Sequence, residues 1–537
     1  MGIYLNPSTR EFEKAINSEI YVDKSMMIEY LNSVVNTEQQ YVCVSRPRRF
    51  GKTTDAEMIC AYYDREAESE RLFHSLKYFE KESFSDFMGK FDVIHLNMIQ
   101  FMKEKEADQM VKTICRRVLK DFEVVFPWAV GLGENDLAYT MSLIHEREGR
   151  QFVIVIDEWD CIFRQYPDDV NGQKIYLDFL RDWLKDQPYV ALAYMTGILP
   201  IKKYGEHSAL NMFDEYSMTN PMQLASYVGF NEGDVKELCV RYGRNFDDIK
   251  QWYDGYVVSG VLQKNNDSET YHVYSPLSVV KAVTTGVLQN YWNKTETYAA
   301  LKQNINRNFD GLKDIVLALV NGGKRRINTD RYQNDMTTFA GADDVLTLLI
   351  HLGYLGFDSR TKEGFVPNKE ICQEFENSIE GENEWNVIYD KLNNSQRLLE
   401  ATWNMDAKTI AELVEAAHLK TANNTYNSEA ALSYAIQLAY FNAEQYYTMI
   451  PEMQAGKGYA DLTYIPSPDY PDKPALLIEL KWNKSADTAI EQIHRQKYTD
   501  SLSKYKGNII MVGINYDRDV DNEDEKFKRH TCVVERA

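Results

Sequence analysis

The sequence predicts an α/β protein: a doubly wound parallel sheet with helices on both faces, then a helical region, then a second α/β domain. Three observations predict it. Tyr41-Val42-Cys43-Val44 runs through a turn into Gly51-Lys52-Thr53-Thr54 and an amphipathic helix through Met58, Ile59 and Tyr62. Residues 151–160, QFVIVIDEWD, string apolar side chains together without alternation before a charged cluster, as a strand buried on both faces does. ALLIELK at 475–481 repeats that pattern near the other end.

In chain order, residues 1–40 read as a lead-in, with a helix around Glu11 to Asn17, the segment Tyr21-Val22-Asp23-Lys24, and a helix from Ser25, a good capping residue, to Leu31. The first domain, 1–225, then alternates: strand 41–45, helix 51–63, strand 92–97, helix 103–122, strand 152–156, helix 172–186, strand 190–196. Alternation of this kind gives a parallel sheet, and such sheets bind ligands beyond the carboxyl ends of their strands. Lys52, Asp157 and Thr196 all fall there.

The first strand-to-helix junction has the chemistry of a P-loop. Backbone N–H groups at a helix N-terminus point at an anion, Lys52 reaches the β- and γ-phosphates of ATP, and the Thr53 hydroxyl ligates Mg²⁺. Arg46 stands where the usual pattern has its first glycine, and Arg46, Pro47, Arg48, Arg49 and Phe50 lead into Gly51. At the later strand end, Asp157 is placed to hold the Mg²⁺ shell and Glu158 to orient or deprotonate the attacking water. Thr196, before Gly197, is placed to sense the γ-phosphate.

From Gly229 the texture becomes helical, and 226–330 reads as a helical lid; Asn231 with Asp234 is a helix start, and Trp252-Tyr253-Asp254-Gly255-Tyr256 closes the first block. Residues 331–395 hold a helix from Asp344 to Leu352, a hairpin around Lys362-Glu363-Gly364 and a closing helix, a winged-helix-like order without a basic recognition helix. Residues 396–537 form the last domain. It holds a helix at 428–441 with Glu429, a strand Tyr459 to Ile465 with Asp461, the strand ALLIELK with Glu479 and Lys481 on one face, a helix with Gln492, and a strand at 508–514. Asp461 and Glu479 would hold Mg²⁺ while Lys481 positions a water beside a phosphate. By spacing alone, the same set suits a wet hairpin equally well.

Composition bounds the class. The 537 residues carry a net charge of −21, with 44% hydrophobic and 26% charged residues. That charge opposes loose adhesion to nucleic acid or an anionic membrane, while leaving room for a local basic groove at Arg46 to Lys52 or Lys324-Arg325-Arg326. No apolar run reaches membrane-spanning length, and the first residues lack a signal peptide's basic start and apolar core, so a cytoplasmic protein without membrane partners is expected. The 7 cysteines show no CxxC spacing and are expected to be reduced.

With both ends in view, the chain resembles the bacterial AAA-ATPase-like family that carries a C-terminal nuclease-like domain of the PD-(D/E)XK superfamily. The resemblance is carried by YVDKS at 21–25, SRPRRFGKTT at 45–54, VIVIDEWD at 153–160, the Thr-Gly at 196, WYDGY at 252–256, YSP at 274–276, HLGYL at 351–355, VPNKE at 366–370, GYADL at 458–462 and IELKW at 478–482. It accounts for the missing first glycine as a family trait, with Arg46, Arg48, Arg49, Phe50, Gly51, Lys52, Thr53, Thr54 and Thr196 around the nucleotide. It implies that Glu429, Asp461, Glu479 and Lys481 form a restriction-endonuclease-like core, with Gln492 accessory to it and nucleic acid as its partner. Proteins of this kind are linked to defence or mobile-element biology. Trp159 replaces a common tyrosine, and Ala460-Asp461 replaces the literal Pro-Asp.

Two functions fit. One is an ATPase that regulates Mg²⁺-dependent nucleic-acid cleavage by the tail. The other is a nucleotide-controlled switch whose nuclease-like domain recognises a partner without cutting. The nucleic-acid substrate and the oligomeric state stay open, a homo-oligomer included, and so does the source of an arginine finger: Arg48 or Arg49 in cis, or a neighbouring subunit.

Overall fold

In the computed structural model of the chain, five runs become the strands of the first sheet: β1 (Tyr41–Ser45), β2 (Asp92–Asn97), β3 (Phe152–Asp157), β4 (Val190–Gly197) and β5 (Asp214–Tyr216). They pair in the order β2-β3-β4-β1-β5, every neighbour parallel. β1, β3 and β4 are buried along their whole length, which is why their sequences run apolar without alternating. Parallel neighbours need crossovers, and the helices Lys52–Tyr63, Ala107–Val125, Leu137–Glu148 and Val170–Leu184 supply them. The register pairs Val44 with Thr196 and Thr196 with Asp157, so the carboxyl ends of β1, β4 and β3 finish level.

The structure describes residues 2–103, 107–201, 209–261, 268–292, 311–320, 322–379, 394–419, 432–433, 436–437, 439–440, 443, 446–456, 458–468, 470–517 and 529–537. It divides into two units, Met1–Lys313 with Lys324–Phe375, and Asp314–Gly323 with Glu376–Ala537. Among the described residues no helix is long and apolar enough to cross a membrane. All of the cysteines are free thiols.

The stretch expected to be a helical lid also contains a sheet. β6 (Phe230–Asn231), β7 (Tyr256–Val261) and β8 (Ser268–Tyr274) pair antiparallel in the order β6-β8-β7 beside the helices Glu232–Tyr242, Phe246–Tyr253 and Pro276–Thr285. Tyr256 and Val258 are buried with Val257 between them half-buried, a period-2 signal too short to stand out beside the helical periodicity around it. The helical face and strands share one core of Phe230, Val235, Leu238, Ile249, Tyr274 and Val279.

The helix–hairpin–helix order is present as Ala342–Leu352, β10 (Gly356–Asp358) with β11 (Glu363–Phe365), and Lys369–Ile379. Arg325–Arg326 forms an additional edge strand, β9, on β11. Glu370, at the start of the closing helix, is buried and accepts the Ser278 hydroxyl at 3.1 Å and the Tyr291 amide at 2.7 Å. Burial pushes its carboxyl from 4.5 up to about 7. A carboxyl raised in the folded state stabilises the fold fully only below its unfolded pKa, and that stability is lost as pH rises through about 7. The full effect is roughly 3 kcal/mol. Glu370→Gln keeps an acceptor and removes the titration, so thermal melts at pH 5.5 and pH 8 should show a smaller fall in Tm for the variant than for wild type; equal falls refute it.

In the second unit, β12 (Tyr447–Ala455), β13 (Gly458–Pro466), β14 (Ala475–Trp482), β15 (Ile509–Tyr516) and β16 (His530–Arg536) pair in sequence order. Only β14 and β15 are parallel, and the helix Ala486–Gln496 crosses between them. Leu476, Ile478 and Leu480 face one core, while Leu477 faces the other with Ile490 and Ile493 of the crossover helix. Glu479 and Lys481 share the Leu477 face by alternation, which sets them beside that helix. The edge strands β12 and β16 lie outside the sequence expectations. Most of the helix expected at 428–441 lies outside the described residues, Glu429 included.

Candidate phosphate and metal sites

β1 ends at Ser45, and the chain turns into the helix that begins at Lys52. Gly51 caps that helix at φ +90°, where a side chain would be strained. The loop closes on Lys52, whose Nζ donates to the carbonyls of Arg46 at 3.0 Å and Pro47 at 2.9 Å. Burial lowers the Lys52 pKa, and the nearby Glu158 and Asp157 oppose that shift. Thr53 Oγ1 donates to Asp157 Oδ2 at 2.9 Å, and Asn97 Nδ2 donates to the same oxygen at 3.1 Å. Burial, with the charge of Glu158 behind it, pushes Asp157 up to about 6. Residues 104 positions apart thus bring a hydroxyl and a carboxylate together, a hard-oxygen donor pair suited to Mg²⁺.

A cavity of about 760 Å³ opens over this junction, and Arg48, Arg49, Phe50, Gly51, Lys52, Thr53, Thr54 and Glu158 line it. Three expected residues do not. Arg46 is buried, with Nη1 donating to the carbonyls of Ser45 and Tyr216, and burial lowers its pKa to about 10. It therefore holds β5 against the loop instead of facing a nucleotide. Asp157 and Thr196 are fully buried at their strand ends, and Thr196 Oγ1 has no hydrogen-bond partner. Glu158 sits at φ +55° and is ion-paired with Arg164, which also donates to Asp160 at 3.0 Å. Arg49 Nη1 donates to the Tyr291 carbonyl at 2.5 Å.

The cavity wall also includes Tyr21, Lys24, Asp55, Arg164, Phe230 and Leu277, none of which was expected there. Lys24 lay in view within YVDKS, and Asp55 directly follows Thr54. Asp55 is 6% exposed, and burial pushes its carboxyl up to about 8 against the pull of Lys24, Lys52 and Arg46.

The second constellation forms where β13 and β14 part. Their pairing stops at Leu462 with Ile478, one residue before Asp461. Asp461 Oδ2 instead accepts the Leu480 amide at 2.7 Å, so the carboxylate bridges the opening. Ala460 and Leu462, on either side of Asp461, belong to different core clusters. Glu479 is 2% exposed, and its Oε1 accepts Lys481 Nζ at 2.8 Å together with Gln492 Nε2. Its Oε2 is buried without a hydrogen-bond partner. Burial, then the charge of Asp461, pushes Glu479 up to about 7. An orphaned carboxylate oxygen beside a second carboxylate fits a divalent cation, which would supply the missing partner. The structure therefore brings Asp461, Glu479, Lys481 and Gln492 together.

Residues 8–205 match the family described as "Predicted AAA-ATPase", and residues 431–526 match the "PD-(D/E)XK nuclease superfamily". Among solved structures, the chain is similar to a Walker-type ATPase of Pyrococcus abyssi at 12% identity, over 66% of this chain and 94% of that one, with a TM-score of 0.33. It is similar to PCH-2 of C. elegans at 13% identity, over 43% of this chain and 51% of that one, with a TM-score of 0.20. No curated protein matches the sequence.

Proposed function

We propose that the chain, whose residues 8–205 match the predicted AAA-ATPase family and residues 431–526 the PD-(D/E)XK nuclease superfamily, binds and hydrolyses ATP and thereby regulates metal-dependent phosphodiester cleavage by its tail. The functional division is an ATPase domain at 1–225, a lid at 226–330, a winged-helix-like linker at 331–395 and a nuclease domain at 396–537. The observation that carries the nucleotide half is the Thr53–Asp157 hydrogen bond of 2.9 Å beside Lys52. The convergence of Asp461, Glu479 and Lys481 supports the cleavage half.

In the front site, the N-terminal amides after Gly51 and the Lys52 ammonium would bind the β- and γ-phosphates, and Thr53 with Asp157 would hold Mg²⁺. Glu158, steadied by Arg164, orients the water that attacks. In the tail, Asp461 and Glu479 would hold a divalent cation, Glu479 through the Oε2 that has no hydrogen-bond partner. Lys481 would stabilise the charge that develops on the scissile phosphate, and Gln492, donating to Glu479 Oε1, holds that carboxylate in place. Mg²⁺, when bound, supplies Lewis-acid charge and makes water a better nucleophile.

The net charge of −21 favours a second reading, in which the tail recognises a partner without cutting. A paired assay separates the two: ATP turnover, and cleavage of single- and double-stranded DNA and RNA, each with Mg²⁺ and with EDTA. The proposal expects turnover and cleavage of at least one substrate, both lost in EDTA. Turnover with every substrate left intact would establish the switch instead.

A further inference from the structure

The segment Tyr21–Ser25 is fixed on both sides of Lys24. Asp23 accepts the Ser25 amide at 2.8 Å through Oδ1 and the Lys77 amide at 2.6 Å through Oδ2. Lys24 is buried and lines the phosphate cavity with Lys52, Thr53 and Asp55. Its ammonium donates to Asp234 Oδ2 at 2.6 Å and to the Ser226 carbonyl at 3.1 Å. Asp234 Oδ2 accepts the Asn231 amide as well, at 2.8 Å, and Asn231 Oδ1 accepts the Asp234 amide at 3.0 Å. These two bonds form the capping box of the helix Glu232–Tyr242. One carboxylate oxygen therefore serves both a cation of the cavity wall and the start of a helix beyond the parallel sheet.

An ammonium has three N–H donors, and these bonds use two of them. On the same wall, Asp55 Oδ2 is buried without a hydrogen-bond partner. Beside the P-loop, the wall thus holds an ammonium with one N–H beyond these two bonds and a carboxyl oxygen without a partner. Nothing in the phosphate chemistry of Lys52, Thr53 and Asp157 uses either.

We propose that Lys24 is a further nucleotide-binding residue, shared between a bound nucleoside triphosphate and Asp234, so that nucleotide occupancy is coupled to the cap of the helix Glu232–Tyr242. The coupling rests on the nucleotide reading of the cavity. A triphosphate competes with Asp234 for the same positive charge. Removing the cation weakens nucleotide binding, and neutralising its competitor strengthens it.

The test is titration calorimetry of the full chain with a non-hydrolysable ATP analogue and Mg²⁺, together with hydrogen exchange of the Glu232–Tyr242 amides. Lys24→Met should bind at least about tenfold more weakly, Lys24→Arg should recover most of the loss, and Asp234→Asn should bind more tightly than wild type. The double variant Lys24→Met/Asp234→Asn leaves no uncompensated buried charge, so it separates folding from binding; it should bind as weakly as Lys24→Met. Adding the analogue should change exchange in the helix in wild type and leave it unchanged in Lys24→Met. Wild-type affinity in the double variant overturns the proposal, and so does Asp234→Asn weakening binding as much as Lys24→Met, the mark of a merely structural ion pair. Failure of wild type to bind the analogue would instead sink the nucleotide reading itself.

Discussion

Replacing Lys52 by alanine is expected to lower ATP turnover at least about a hundredfold, the scale on which losing one donor aimed at developing charge acts in an enclosed site. The ammonium sits where the loop carbonyls of Arg46 and Pro47 converge, beside the Thr53–Asp157 pair. Its burial already disfavours the charged form, so its removal relieves a desolvation cost while it frees two carbonyls. The fold should therefore survive, with a melting temperature close to that of wild type. Affinity for an ATP analogue should fall along with turnover, because in the proposed site the lysine would meet phosphate in the ground state as well as in the transition state. Turnover within tenfold of wild type in a folded Lys52→Ala protein would remove the nucleotide assignment.

Much of this site was legible because it is written in local pattern. GKTT marks a helix start, and QFVIVID marks a buried strand whose charged end must lie at a sheet edge. The topological rule for parallel sheets then brings the two together, and the Thr53–Asp157 bond closes the gap. Arg46 was not legible, because the direction of a loop side chain follows from no periodicity; its guanidinium turns inward to the Tyr216 carbonyl, 170 residues away. The sheet of β6, β7 and β8 leaves little local signal because its first strand is a residue pair, Phe230–Asn231, and its pairing is set by a hairpin further along the chain. Lys24 stands inside the YVDKS motif, but its meaning lies in Ser226 and Asp234, more than 200 residues on. In the tail, alternation put Glu479 and Lys481 on one face. The bond from the Leu480 amide to Asp461 depends on where the pairing of two strands ends, which composition does not encode.

Replacing Lys481 by alanine is expected to abolish nucleic-acid cleavage, by about a hundredfold or more, and to leave ATP binding unchanged. The lysine acts on two neighbours at once. In the proposed mechanism its Nζ would neutralise charge developing on a phosphate, and it also donates to Glu479 Oε1 at 2.8 Å. Glu479 is already pushed up to about 7, and Lys481 is among the groups holding it down. Without the lysine the carboxyl rises further and is less ionised near neutral pH, so the cation is held more weakly. The two effects separate experimentally. Raising pH and Mg²⁺ together re-ionises Glu479 and refills the site, but it returns no positive charge to the phosphate. Cleavage by Lys481→Ala should therefore stay low at pH 9 and saturating Mg²⁺. Full recovery there would reduce Lys481 to a residue that only tunes Glu479, while unimpaired cleavage at neutral pH would place the chemistry elsewhere in the chain.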